Sequence, residues 1–288
     1  MTTLETIKKD RGGQAERFAY IETRIYWTGQ FKRRYLAERF GTSPAQQSKD
    51  MVLYQELAPG NIEYDRKTWV YRILPTFKPV FTNPTPDSLL GLILSDKDSL
   101  GLQAEVALLP RPTRSAPPEI VREILLAVQF GQSLHIRYQS MTKSDPEDRW
   151  ITPHALAHDG CRFHARALCH ASGLYKDFVL GRILAIHEHG DAMGDPVADH
   201  DWNEIVQLHL APHPGLLDGP RKVIEDDYGM RDGKVAWNVR RAMLPYVVAA
   251  QHLLLEHDRP DYQQIILLNK IELIDSNVLQ HNIQNSSH

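Results

Sequence analysis

Apolar residues recur at the helical interval through Phe18, Ile21, Ile25 and Tyr26, which predicts an amphipathic helix over Ala15–Trp27. Gly29-Gln30 breaks it. A second helix is predicted from Phe31 to Phe40, with Tyr35, Leu36 and Phe40 inward and Lys32, Arg33, Arg34 and Arg39 outward. Gly41-Thr42 supplies a tight turn, and Ser43-Pro44 pairs an N-cap residue with proline at the first helical position. A third helix therefore starts there and runs to about Leu57, ahead of Pro59-Gly60. The period then changes from helical to alternating: Ile62 and Tyr64, the polar Asp65-Arg66-Lys67, then Trp69, Tyr71 and Ile73. Two alternating runs around a short polar turn predict a hairpin. Three helices followed by a hairpin is the element order of a winged helix-turn-helix.

From Pro75 to Pro118 the chain is proline-rich, with one apolar helix over Ser88–Leu94. Pro110, Pro112, Pro117 and Pro118 mark a connector. A helix over Glu119–Phe130 precedes short strands at Leu134–Gln139, Trp150–His158, Cys161–Cys169 and Asp177–Ile186, a spacing that predicts a small barrel. Gly190–Asp201 is polar and reads as a linker. Strands at Ile205–Leu210, Val235–Val239 and Ile265–Leu268 then alternate with helices at Leu216–Tyr228 and Met243–Leu255. The expected fold is α+β and multidomain. It comprises a winged helix over residues 1–80, a connector with a helix over 81–118, a barrel over 119–192 and a C-terminal α+β sandwich over 193–288.

Charge sharpens this division. The 288 residues carry a net charge of −3, yet residues 1–80 hold 14 Lys/Arg against 9 Asp/Glu, and residues 81–288 hold 19 against 27. A basic head on an acidic body predicts a phosphate-facing module at one end. No apolar run approaches the ~18 residues of a membrane helix. Met1–Asp10 is polar, without a signal peptide's apolar segment. The two cysteines cannot make a disulfide scaffold. A cytoplasmic protein with no membrane partner is expected.

A recognition helix presents its N-terminal polar side chains to base edges in the major groove. Here those are Ser43, Gln46, Gln47 and Lys49, although a shift of one position would turn Gln47 inward. Glutamine can pair bidentately with adenine, and lysine can reach guanine or a phosphate. Arg66 and Lys67 at the hairpin tip, and Arg33 and Arg34 at the start of the second helix, are placed for the phosphate backbone. Double-stranded DNA is the predicted partner.

In the barrel, parity sorts Cys161, Phe163, Ala165, Ala167 and Cys169 to one strand face and Arg162, His164, Arg166 and Leu168 to the other. Two arginines flanking a histidine repel one another unless an anion is near, so that face is either solvated or an anion site. Tyr138, Ser140, His154 and Arg182 are further candidates. Arg182 sits in an apolar strand, where a charge needs a carboxylate, carbonyls or a ligand. Cys161, His164, Cys169 and His170 form a loose metal-like group, but parity points the cysteines away from His164 and the spacing fits no closed zinc site. No metal or cofactor is expected, and both cysteines are assigned to the core. His187-Glu188-His189 leads into the linker and is assigned to solvent.

Leu36–Ser43, Asp50-Met51 and Pro59–Asp65 resemble the winged helix of the WYL-domain transcriptional regulators, of the BrxR/CapW type found beside phage-defence operons. Ile151–Leu156, Arg162–Cys169 and Phe178–Ile183 resemble the Sm/SH3-like WYL barrel of that group, and the C-terminal segment resembles its WCX extension. The Trp-Tyr-Leu triplet that names the domain is replaced by Phe163-His164-Ala165. The resemblance implies a homodimeric repressor on inverted-repeat operators. It also implies a WYL pocket, built from Tyr138, Ser140, His154, His164, Arg166 and Arg182, that senses a nucleotide or single-stranded nucleic acid. Two other classes stay open at this point. One is a DNA-targeted nuclease or phosphodiesterase, for which Ser140 with His154 or His164 would be the dyad; the other is an adaptor whose barrel binds a protein.

Overall fold

The computed structural model describes residues 12–95, 107, 116–254 and 259–275. The expected polar start at Met1–Asp10, the prolines Pro110 and Pro112, and Leu255 lie outside them. The chain divides into two compact units, residues 1–109 and 110–288.

In the first unit, α1 (Gly12–Thr28) turns Phe18, Ile21 and Ile25 into the core, all fully buried. The helix expected from Phe31 begins later, as α2 (Arg34–Phe40). Gln30–Phe31 instead forms a short strand, β1, in which Phe31 pairs with Tyr71 and packs edge-on to the Tyr20 and Tyr35 rings. Gly41 ends α2 in the left-handed region at φ 64°, where glycine meets no Cβ penalty. Ser43 then caps α3 (Pro44–Leu57), its Oγ accepting the Gln46 N–H at 3.3 Å. The hairpin is β2 (Ile62–Asp65) and β3 (Val70–Ile73), in a sheet of order β1-β3-β2. Beyond it the buried Glu22 carboxylate of α1 accepts the backbone N–H groups of Val80, Phe81 and Thr82 at 2.7–2.8 Å, which holds the outgoing chain against the core. Helix α4 (Pro86–Ser95) follows.

The second unit opens with α5 (Pro118–Phe130), whose Ile120, Ile124 and Ala127 face a sheet of order β7-β6-β5-β4-β8. The strands are β4 (Gln132–Tyr138), β5 (Glu147–His158), β6 (Phe163–Cys169), β7 (Leu174–Val179) and β8 (Ile183–Asp191). The single strand expected over Asp177–Ile186 is two, broken by a 3-10 turn at Leu180–Arg182. The closed barrel expected here is an open sheet: β7 and β8 form its two edges and are not paired with each other. Three linking residues span at most ~11 Å, so the edges are tethered at that one corner. There Tyr138 Oη accepts the Val179 N–H and Arg182 C=O accepts the Gln139 N–H, while α5 packs against β4, β5 and β8.

The stretch read as a linker contains a 3-10 turn (Pro196–Ala198) and a one-turn helix, α6 (His200–Asn203). A three-stranded antiparallel sheet of order β10-β9-β11 completes the unit, from β9 (Ile205–Pro212), β10 (Val235–Arg240) and β11 (Ile265–Leu267). Helices α7 (Asp218–Asp227), α8 (Leu244–Ala250) and α9 (Lys270–Asp275) accompany it, with Leu208, Leu210, Ile224, Leu244 and Val248 in their shared core. Among the described residues no helix is long and apolar enough to cross a membrane.

Candidate nucleic-acid interface and anion site

In the first unit the start of α2, the N-terminal turns of α3 and the hairpin enclose a cleft of about 440 Å³, lined by Lys32, Arg33, Arg34, Gln47, Ser48 and Trp69 among others. Arg33 donates to Ser48 Oγ at 2.8 Å, and Arg34 stands exposed at 3.7 Å from Glu38. Lys49 on α3, and Arg66 and Lys67 at the hairpin tip, are exposed and form no ion pair among the described residues. The tip is ordered by Asp65, whose carboxylate accepts from Thr68 Oγ1 (2.6 Å), Lys67 N (2.9 Å) and Arg72 Nε (3.0 Å). Those bonds hold its pKa at about 2, well below the usual carboxylate value.

The rest of the expected reading set is placed differently. Ser43 Oγ is engaged in the cap. Gln46 is half-buried and donates to Asp50 Oδ1 at 2.9 Å; Asp50, fully buried, is itself held by Arg17 at 2.6 Å. Gln47 is only 7 % exposed and donates to Thr42 C=O, so the outward placement expected of it is corrected. The reason is helical phase: Gln47, Met51 and Tyr54 share the buried face of α3. Lys32 and Trp69 were not among the candidates. Alternation along the hairpin put Trp69 in register with Tyr71 and Ile73, but it sits in the turn and the strand begins at Val70.

The anion candidates of the second unit fall into two neighbouring groups. Tyr138, Ser140 and Arg182 line a cleft of about 360 Å³ together with Lys143, Arg149 and Lys176. His164 and Arg166 are buried and His154 half-buried in the second group. A register shift between Pro153 and Ala155 leaves His154 as the extra residue of β5, and such bulges re-aim a side chain. His154 Nε2 thereby reaches Asp199 Oδ2 at 2.9 Å. Arg166, 5 % exposed, makes a two-pronged contact with Asp199 (Nε 2.7 Å, Nη2 2.8 Å) and reaches Asp177 with Nη1 at 3.3 Å. His164 Nε2 lies 2.9 Å from Asp159 Oδ2, and its Nδ1 lies 3.4 Å from Tyr246 Oη, which donates to Asp177 at 3.0 Å. The face that was to be either solvated or ligand-filled is thus covered by the chain's own carboxylates. Asp177 belongs to both groups, since it also lines the cleft.

Burial raises the carboxyl pKa of both Asp199 and Asp159. It is outweighed at Asp199 by the hydrogen bonds from Arg166 and His154, and at Asp159 by those from His164, Arg162 and the Cys161 and Arg162 N–H groups. Both carboxyls end below the ordinary carboxylate range. Desolvation works against the Arg166 charge, and Asp199 and Asp177 more than restore it. Ser140 Oγ bonds Thr142 Oγ1 at 2.8 Å while His154 and His164 meet Asp199 and Asp159, so neither dyad that the enzyme alternative left open is formed among the described residues. Cys169 is buried as expected, whereas Cys161 is exposed, because β6 begins only at Phe163. His187 and His189 are partly exposed, facing Asp148 and Glu123.

Three family models match along the chain: the BrxR transcriptional regulator winged helix-turn-helix domain on residues 13–95, the WYL domain on 119–188, and the BrxR transcriptional regulator C-terminal dimerization domain on 205–273. This succession defines a class, the winged-helix transcriptional regulators that carry a WYL domain and a dimerisation domain. The DNA-binding transcriptional repressor CapW of Escherichia coli (strain KTE188) is 36% identical over 273 residues, 91% of each chain. CapW of Stenotrophomonas maltophilia is 35% identical over 278 residues, and CapW of Pseudomonas aeruginosa 36% over 275, each with 92% of both chains covered. The chain belongs to this BrxR/CapW family of non-enzymatic regulators. A solved structure, the proteasome accessory factor B/C of Arthrobacter aurescens, spans 94% of this chain and 48% of its own at 16% identity and a TM-score of 0.28, too distant to specify the fold.

Proposed function

We propose that the protein is a homodimeric, ligand-responsive transcriptional repressor of inverted-repeat operator DNA, controlling a phage-defence operon, whose WYL region senses an anionic nucleotide or single-stranded nucleic acid. The cationic cleft of the winged helix carries the DNA reading: Lys32, Arg33 and Arg34 line it, and the exposed Arg66 and Lys67 add charge in the turn of the hairpin. Such exposed cations suit the phosphates of a duplex strand. Lys49 is the exposed α3 residue free to reach a base edge. Gln46 would have to leave Asp50 to do so, and Ser43 acts through its cap. Two winged helices in a dimer would engage half-sites about 34 Å apart, or a multiple of that.

Effector sensing would use the second unit's charge layer. An anion entering beside Lys143, Arg149 and Arg182 would compete with Asp177, and then Asp199, for Arg166. Asp199 caps α6 just ahead of β9, so releasing it would loosen the joint between the WYL sheet and the C-terminal sheet. A ligand favouring that loosened state shifts the dimer away from operator spacing. The test is a mobility-shift titration on the DNA upstream of the gene, repeated with short single-stranded DNA and with cyclic nucleotides. Salt-sensitive binding at low nanomolar protein, released by one of these, is expected. Weak binding indifferent to sequence would remove the repressor claim, and tight binding unmoved by any anion would remove the sensing claim.

A further inference from the structure

Trp69 combines three features that nothing among the described residues explains. It occupies the left-handed region at φ 59°, at the last position of the hairpin turn, where glycine or asparagine is favoured. The residue is 72 % exposed, and its ring makes no ring or cation contact among the described residues. It also lines the 440 Å³ cleft together with Lys32, Arg33 and Arg34. The turn is held around it by Asp65, to whose carbonyl the Trp69 N–H donates at 2.9 Å, so the strained residue is presented in one place. Backbone strain and an exposed aromatic each cost free energy in the isolated fold. Such a combination points outward, to a partner that repays both.

We infer that Trp69 is a DNA-backbone contact: its ring packs on a deoxyribose of the strand whose flanking phosphates lie along Lys32, Arg33 and Arg34. This rests on the DNA-binding reading above and deepens it. The cations lining the same cleft select a polyanion, and the part of a nucleic-acid strand that alternates with phosphate is the sugar, whose C–H face suits an indole. A sugar contact carries no sequence information and releases no counterion. It therefore leaves a signature distinct from that of a lysine or of a base-reading residue.

The experiment compares wild type, Trp69→Gly and Trp69→Phe on operator duplex and on an unrelated duplex across a salt series. Glycine relieves the left-handed strain, so the Tm of Trp69→Gly should be unchanged or higher. Its affinity should nevertheless fall roughly tenfold on both duplexes with the salt slope unaltered, the loss that goes with uncovering one aromatic face. Trp69→Phe should keep most of the affinity but lose that part of the duplex-induced change in tryptophan emission which wild type shows. Wild-type affinity in Trp69→Gly overturns the inference, as does a loss confined to one sequence, a flattened salt slope, or a loss that follows a fallen Tm. Should wild type bind neither duplex, the DNA reading itself fails and takes the Trp69 contact with it.

Discussion

The exposed docking cations of the winged helix and the buried Arg166 of the WYL region are held in opposite states. In the winged helix, Lys49, Arg66 and Lys67 are exposed and without carboxylate partners among the described residues, and Arg34 has only a long contact to Glu38. In the WYL region Arg166 is buried and bonded on three of its edges, by Asp199 twice and by Asp177. The first arrangement can dock on a polyanion as it stands, because nothing internal must break. The second can accept an anion only by exchange, since an unpaired buried charge is costly and its present partners would have to be rehoused. The contrast assigns rapid, salt-dependent association to one region and a conformational response to the other.

The sharpest way to break the comparison is to remove the carboxylate on which the buried layer converges. Asp199→Ala leaves Arg166 and His154 without their shared acceptor and takes away the cap of α6. Breaking one partner of a buried pair costs about 3–5 kcal/mol, so chemical denaturation should show a loss of that size. Binding to random duplex by whatever protein stays folded should persist, because the cleft lies in the other unit, whereas operator binding should weaken, because removing Asp199 loosens the same joint that ligand is proposed to release. A loss below about 1 kcal/mol would mean that the buried layer is already wet and loosely held.

Acid should separate the units next. Asp199 and Asp159 have folded pKa values below their unfolded ones, so their stabilisation is complete above the ordinary carboxylate value near 4 and is lost as pH falls below it. Asp65, at about 2, keeps the wing turn pinned through the upper part of that window. Amide spectra recorded downward from pH 5 should therefore show the surroundings of His154 and Arg166 shifting first, while the Lys67 and Thr68 amides hold and the surroundings of His164, whose partner Asp159 is held lower still, hold with them. The reverse order would show that the layer's carboxylates are not the pH-sensitive element.

How far this contrast was legible from residue order follows the range of the forces involved. Ser43-Pro44 and Gly41 announced the turn between α2 and α3 because capping and left-handed backbone are settled within four residues. Phe31 read as helix because its β-pairing partner, Tyr71, is 40 positions away. Parity put His164 and Arg166 on one strand face; His164 meets Asp159 only 5 positions away, but the carboxylates that neutralise Arg166, Asp177 and Asp199, lie 11 and 33 positions from it. Asp199 was hidden in a stretch whose Asp and Gly content is that of a linker. Charge asymmetry located the basic unit, whereas the inward phase of Gln47 and the left-handed Trp69 depended on one-residue shifts that periodicity does not resolve.

The smallest change tests whether the exposed state of the first unit's cations is as dispensable to folding as the comparison requires. Arg34 and Glu38 are each more than half exposed and their charged atoms are 3.7 Å apart, a geometry in which screening and side-chain entropy cancel most of the Coulomb attraction. Arg34→Ala should therefore shift unfolding free energy by no more than about 0.5 kcal/mol. If the residue faces phosphate, the same variant should weaken binding to operator and to random duplex alike and lower the salt slope by about one unit, as Lys67→Ala should at the wing. Measuring both quantities on one protein separates the two roles. A stability loss with an unchanged salt slope would make Arg34 a structural residue of α2 and narrow the docking face to Lys49, Arg66 and Lys67, whereas an unchanged fold with a flatter slope would place the duplex against the start of α2.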